Sequence, residues 1–336
     1  MSSTSHKPLI RGLSYPDHVQ HSLYSMFEYG MSRVGKDAEA YKYFSRKVTY
    51  GQLMDDIHAC AAGLIELGVK KGDFVTICLP NIPQCVIAVY AVNRIGAVCN
   101  LVHPLSTKDE IEYAVNLTKS RFILTFEMNE GHCRDLDATV IRCRTPQYFP
   151  KSPKGFVLKT VYHQKVKNEP KLDNVVEWTD LLAGGAGITL PEDTVKPEDI
   201  AAIMYTGGTT GQSKGVMLSN QAINYTSSWL VRYYTTGDSH IGDAILVILP
   251  VFHAFGLAVV INVPLSAGLR VILVPRFNPK DCAKIIRREK TASCAHLHNP
   301  PLHPHFRLRQ SAVSPRRHFQ DGHSDRREYL RQARRG

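Results

Sequence analysis

Between Phe74 and Phe126 the chain alternates short apolar runs with longer helical patterns, and this alternation restricts the fold more than any other feature. Phe74–Leu79, Ala97–Val102 and Arg121–Phe126 read as buried strands. Pro83–Ile95, closed by Gly96, and the stretch opened by Thr107 read as helices. Strands that are apolar at every position are covered on both faces, and a helix between consecutive strands makes them parallel. Thr107 and Glu110 have capping-box spacing ahead of Ile111, Tyr113, Ala114 and Leu117. The expectation is an α/β architecture, a parallel sheet layered between helices.

Around this centre the pattern is similarly readable. Residues 13–40 predict an exposed lead-in with a helix near Ser22–Met31, followed by a hairpin of Tyr41–Phe44 with Lys47–Tyr50. Leu53, Ile57, Ala61, Leu64 and Leu67 fall at helical spacing after Thr49, with Gly68 as the stop. Residues 127–190 are less regular, apart from a helix near Val175–Leu182 that carries Trp178. Pro191–Asp199 is a polar linker. Ser219 or Asn220 caps a helix running through Tyr225 and Trp229, and Asp243–Leu249 and Leu269–Val274 predict strands. Asn278-Pro279 begins a helix over Asp281–Lys290.

The chemistry centres on Tyr205-Thr206-Gly207-Gly208-Thr209-Thr210-Gly211-Gln212-Ser213-Lys214-Gly215. Three glycines and three threonines between 206 and 211 exclude a helix or a strand interior. They suit a loop that presents backbone N–H groups and hydroxyls to an anion, with Lys214 adding a compact positive charge. A Walker A loop would place glycine before the lysine, a hydroxyl residue after it and then a helix. Here Ser213 precedes Lys214, Gly215 follows, and Val216-Met217-Leu218 is strand-like. On residues alone the competing reading is a glycine-rich surface hairpin with an incidental lysine.

The full string closely resembles the phosphate loop of the adenylate-forming superfamily, YT[SG]GTTGxPKGV, departing from it at Ser213 alone. Pro250-Val251-Phe252-His253-Ala254-Phe255-Gly256 is similar to that superfamily's P[LM]FHxxG motif, and Thr49–Leu53 to a structural one. Gly96–Asn116 resembles acyl-CoA synthetases, fatty-acid enzymes more than aryl-acid ones. The resemblance covers roughly residues 40–290. It implies a carboxylate activated by ATP to an acyl-adenylate with release of pyrophosphate, then transfer to a thiol, usually coenzyme A. Thr206, Gly207, Gly208, Thr209, Thr210, Gly211 and Lys214 are the implied phosphate holders, Thr206 and Lys214 the implied catalytic pair. His253, with Phe252 and Phe255, is implied in the carboxylate pocket. Mg2+ is implied as the bridge between phosphates, with no protein ligand assigned to it. On spacing alone His253 is a histidine in a helix-start turn, and His103 is a structural histidine at a strand end.

Composition narrows the alternatives. Eight cysteines lie scattered without a CxxC pair, most of them in apolar runs, which predicts core thiols in a reducing compartment and a cytoplasmic protein. The uncharged run Ala244–Leu269 holds Pro250, His253, Gly256, Asn262 and Pro264, so a strand, a loop and a buried helix explain it better than a membrane span. Contact with a membrane surface is left open. Of the net charge of +11, residues 291–336 carry +6, with nine arginines, no lysine and six of the fifteen histidines. A nucleic-acid reading would rest mostly on that segment, and no recognition motif supports it.

The segment from Thr291 predicts a basic tail, disordered or out of frame, after an N-terminal lead-in at 1–40 and a partial AMP-binding domain at 41–290. Translating the downstream DNA in every frame tests the out-of-frame reading. The resemblance's ribose-binding aspartate and its mobile C-terminal domain with the adenylation lysine find no counterpart, so this polypeptide is expected not to turn over. The alternative is a non-catalytic ATP-binding or interaction protein derived from the same fold.

Overall fold

The computed structural model describes residues 20–206, 213–227, 244–275 and 277–289. Gly207–Gln212, Trp229 and the segment 291–336 lie outside them. Contacts divide the chain into Met1–Cys294 and Ala295–Gly336, and every described residue belongs to the first part.

The central layer is a seven-stranded sheet. Strands β3 (Phe74–Cys78), β4 (Val98–Leu101), β5 (Phe122–Thr125), β6 (Thr139–Arg142), β7 (Val176–Glu177), β8 (Ile200–Thr206) and β9 (Lys214–Ser219) lie in the order β7-β6-β5-β3-β4-β8-β9. All neighbours are parallel except the β8–β9 hairpin. A four-stranded sheet of β1 (Glu39–Tyr43), β2 (Arg46–Thr49), β10 (Ala244–Val247) and β11 (Arg270–Leu273) runs in the order β10-β11-β1-β2. Its β1–β2 pair is the expected antiparallel hairpin.

Helices cover both faces of the seven-stranded sheet, as continuous apolar strands require. On one face α4 (Lys108–Thr118) packs Ile111, Ala114 and Val115 over Cys78, Ile123 and Val140. The Thr107–Glu110 capping box forms in both directions. On the other face, α3 (Pro83–Arg94) lies so close to β4 that Cys99 Sγ reaches the Val89 carbonyl at 3.6 Å. Beside α3 runs α2 (Tyr50–Glu66), started by a second capping box between Thr49 and Gln52. Against α2 packs α6 (Trp178–Gly185), which carries the predicted Trp178 into the core. Cys60, Cys78, Cys85, Cys99, Cys133, Cys143 and Cys282 are all buried free thiols.

Two stretches differ from the sequence reading. The lead-in is not exposed: α1 (Leu23–Val34) buries Leu23, Tyr24, Met26 and Phe27, and Gly30 lets the Leu265 carbonyl come within 1.8 Å of where a Cβ would stand. Its apolar face was masked in the sequence by charged neighbours on the opposite face. Residues 127–190 hold more structure than their polarity suggested, namely β6, β7 and α5 (Pro153–Val166). That region is organised by charge. Arg142 pairs with Glu130 and donates from Nη1 to Glu177 at 2.8 Å, and Arg144 Nη2 donates to Glu177 at 2.7 Å.

The long uncharged run resolves as the strand β10, a turn at Val251–His253, a buried π-helical segment Gly256–Asn262 and α7 (Val263–Ala267). Among the described residues, no helix is long and apolar enough to cross a membrane. Helical residues at 220–227 follow β9. The last described element is α8 (Pro279–Glu289), with proline in its first turn as expected.

Candidate active site

Ligands of open α/β sheets gather outside the carboxyl ends of the strands, and the candidate site lies there. A cavity of about 630 Å3 opens where β4 and β8 end. Val102 and His103 leave β4 into its wall, α4 contributes Asp109, Glu110 and Tyr113, the β8–β9 hairpin contributes Tyr205 and Ser213, and His253 closes one side.

The hairpin is held from below by a buried polar node. The Asn100 side-chain amide on β4 donates to Thr76 Oγ1 at 2.9 Å, Thr118 Oγ1 at 3.1 Å and the Ala114 carbonyl at 3.2 Å. Its Oδ1 accepts the Tyr205 hydroxyl at 2.7 Å. Burial pushes the Tyr205 phenol up to about 12, with the Asn100 contact acting the other way. Tyr205 therefore remains a protonated donor through the neutral range.

Above this anchor, Thr206 and Lys214 face each other as the last paired residues of the hairpin, and Thr206 Oγ1 donates to the Lys214 carbonyl at 3.4 Å. Both are exposed. The structure thus brings the implied catalytic pair to the rim, flanked by two residues of the cavity wall. Gly207, Gly208, Thr209, Thr210 and Gly211 lie outside the described residues.

His253 lies in the cavity wall, in a turn whose first hydrogen bond runs from its own N–H to the Pro250 carbonyl at 3.1 Å. Phe252 is buried and stands with its ring centre 4.6 Å from both the His103 and the His253 rings. Phe255 is 48% exposed and, among the described residues, outside the wall. Gly256 is required by packing: a Cβ there would lie 1.8 Å from the Pro250 carbonyl oxygen, so the turn that carries His253 closes only on glycine.

His103 departs from the purely structural role read for it. Its ring packs edge-on to Phe252, and its Nδ1 accepts the Leu105 N–H at 2.9 Å. Burial lowers its pKa, and the neighbouring His253 lowers it further. With Nδ1 accepting, the neutral ring carries its proton on Nε2, in the wall beside His253. Asp109, Glu110 and Tyr113 also escaped sequence reasoning. The available signal was the helix start after β4, since that loop must emerge at the carboxyl end of a parallel strand.

The match to known proteins follows the same segments. A family model described as AMP-binding enzyme matches residues 27–298. The chain belongs to the AMP-binding enzyme family. It is 29% identical over 324 residues to a long-chain-fatty-acid–CoA ligase of Bacillus subtilis, across 89% of this chain and 56% of the relative. Similarity to a probable 4-coumarate–CoA ligase of Dictyostelium discoideum is 29% over 244 residues, covering 71% of this chain and 42% of that one. The fold matches ATP-bound MatB from Rhodopseudomonas palustris with a TM-score of 0.63 and 23% identity, over 80% of this chain and 48% of the other. It matches apo MbtA from Mycobacterium smegmatis with a TM-score of 0.66 and 20% identity, over 81% and 47%. The chain spans about half the length of the relatives it matches. Its layered α/β architecture is that of the N-terminal part of adenylate-forming enzymes.

Proposed function

We propose that this chain forms the phosphate-holding and acid-binding part of an ATP-dependent acid–CoA ligase acting on an aliphatic carboxylic acid. The observation that carries the reading is the hairpin end, where Thr206 and Lys214 pair at the rim of a cavity that His253 lines on its far side. Membership in the AMP-binding family supports the nucleotide part, and the named activity of the long-chain-fatty-acid relatives supports the acid.

In this reading a carboxylate oxygen attacks the α-phosphorus of ATP, the bond to the β-phosphate breaks, and pyrophosphate leaves. An acyl-adenylate remains. The thiolate of coenzyme A then attacks the acyl carbon and AMP departs. Lys214 and the backbone donors of residues 206–211 would neutralise charge on the leaving phosphates, the kind of preorganised stabilisation on which such transfers depend. The wall of His103 and His253, backed by the Phe252 ring, would orient the acid and exclude water. Among the described residues, no group of three or more His, Cys, Asp or Glu side chains converges. A magnesium ion arriving with the nucleotide would supply charge neutralisation at its phosphates.

Titrating the full chain with ATP tests the nucleotide part. Lys214→Ala is expected to weaken binding about tenfold or more, and unchanged affinity would sink the assignment. Fatty-acid-dependent ATP–pyrophosphate exchange then separates the first half-reaction from nucleotide holding alone. His253→Ala should lower acid dependence while leaving ATP affinity in place.

A further inference from the structure

We propose that the outer face of α5 is a docking surface for anionic phospholipid membranes. The proposal goes beyond the ligase reading and stands on α5's own residues. The helix is started by Ser152, whose hydroxyl accepts the Gly155 N–H at 3.2 Å, with Pro153 in the first turn. Its inner face is fixed to the body. Gly155 and Val166 are buried, and the Tyr162 hydroxyl donates to Glu127 at 3.0 Å and lies 2.9 Å from Thr145 Oγ1.

The outer face does not complete any core. Phe156 is 73% exposed, Val157 59% and Val161 64%. A single exposed apolar side chain carries no information, but three of them on little more than one and a half turns of one helix form a patch. The surrounding charge is of one sign. Between residues 151 and 171 there are six lysines and one acid, Glu169, a net +5 with histidine neutral. All six lysines are exposed, and among the described residues none takes part in a salt bridge.

Apolar side chains outward with unpaired lysines at their margins match the interface of an anionic bilayer. Phenylalanine and valine enter the acyl boundary there, while the long lysine stems carry their charge back to the phosphate layer. A neutral apolar partner would leave the lysines uncompensated, and a soluble polyanion would leave Phe156 exposed. The helix follows β6 at the carboxyl end of the parallel sheet, the same end at which the candidate site opens.

The test is co-sedimentation of the full chain with phosphatidylcholine vesicles containing about 30% phosphatidylglycerol. The basic segment 291–336 also attracts anionic lipid, so the deciding variant is F156S/V157S/V161S, which keeps every charge. It is expected to partition about tenfold less than the parent, with an unchanged melting curve because all three side chains are exposed. Phe156→Trp provides a direct readout: its added emission should move to shorter wavelength with anionic vesicles and stay in place with pure phosphatidylcholine. Failure of the full chain to partition, equal partitioning of the triple variant, or an unmoved emission from the Phe156→Trp variant would each overturn the proposal.

Discussion

The Tyr205 hydroxyl donates a 2.7 Å hydrogen bond to Asn100 Oδ1, tying the end of β8 to the centre of the sheet. Tyr205→Phe removes this bond together with a longer 3.4 Å donation to the Ala114 carbonyl, and should cost about 1 kcal/mol in urea unfolding. Asn100→Leu leaves Thr76, Thr118 and Tyr205 facing an apolar side chain, so a loss of about 2–3 kcal/mol is expected. Equal costs for the two variants would show that Asn100 does not act as a node.

Arg142 and Glu130 form the buried pair that organises β6, and Glu130 also accepts the Leu172 N–H at 2.6 Å. Truncating the arginine strands a carboxylate that is almost fully buried. Arg142→Leu should therefore destabilise by about 3–5 kcal/mol. The double variant R142L/E130L should recover a large part of that loss, because no charge is left without a partner. A double-variant cost equal to the single would contradict this account.

Burial pushes the Asp56 carboxyl up to about 6, Arg46 opposing the shift and Asp55 adding to it. A carboxyl whose pKa rises on folding favours the folded state below its unfolded value of about 3.9 and loses that contribution as pH rises through about 6. Its contribution to stability should thus fall between about pH 4 and 6 and stay low above. Asp56→Asn is expected to remove this slope and to raise stability at pH 7.5 by about 1–2 kcal/mol. Urea midpoints measured from pH 4 to 8 for both proteins check it. Parallel profiles would refute the shift.

Gly256 sits where a Cβ would collide with the Pro250 carbonyl oxygen at 1.8 Å. Both atoms are backbone, so neither can rotate away. Gly256→Ala should cost about 2–4 kcal/mol, in the range of an overpacked core site. It should also displace the turn carrying His253, so acid-dependent exchange, where present, should fall more than ATP affinity. A folded variant with unchanged stability would show that the turn is softer than its packing implies.

Local rules explain why much of the chain could be read in advance. Both capping boxes, Thr49–Gln52 and Thr107–Glu110, depend on residues three apart and form as their spacing demands. Strands β3, β4 and β5 are nearly continuous apolar runs separated by helical patterns, the signature of interior strands of a parallel sheet. The β8–β9 pair followed from two extended runs on either side of a glycine-rich stretch, whereas Thr206 and Lys214 were named as a pair through the resemblance of the string that holds them. Residues 139–142 and 153–166 were missed because their order comes from distant partners. The Arg142–Glu177 contact spans thirty-five positions, and the charges look like surface until they meet.

The sequence by itself determined the parallel strands β3, β4 and β5, the helices between them and the extended runs on either side of the glycine-rich stretch before Lys214, since spacing, capping and side-chain volume act within a few residues. Only the tertiary structure decided that β5 crosses to the far side of β3, that α1 is core, and that His103 and His253 share one wall with the Phe252 ring packed against both. Those outcomes depend on burying apolar surface and pairing polar groups between segments far apart in the chain, and no local pattern carries that information.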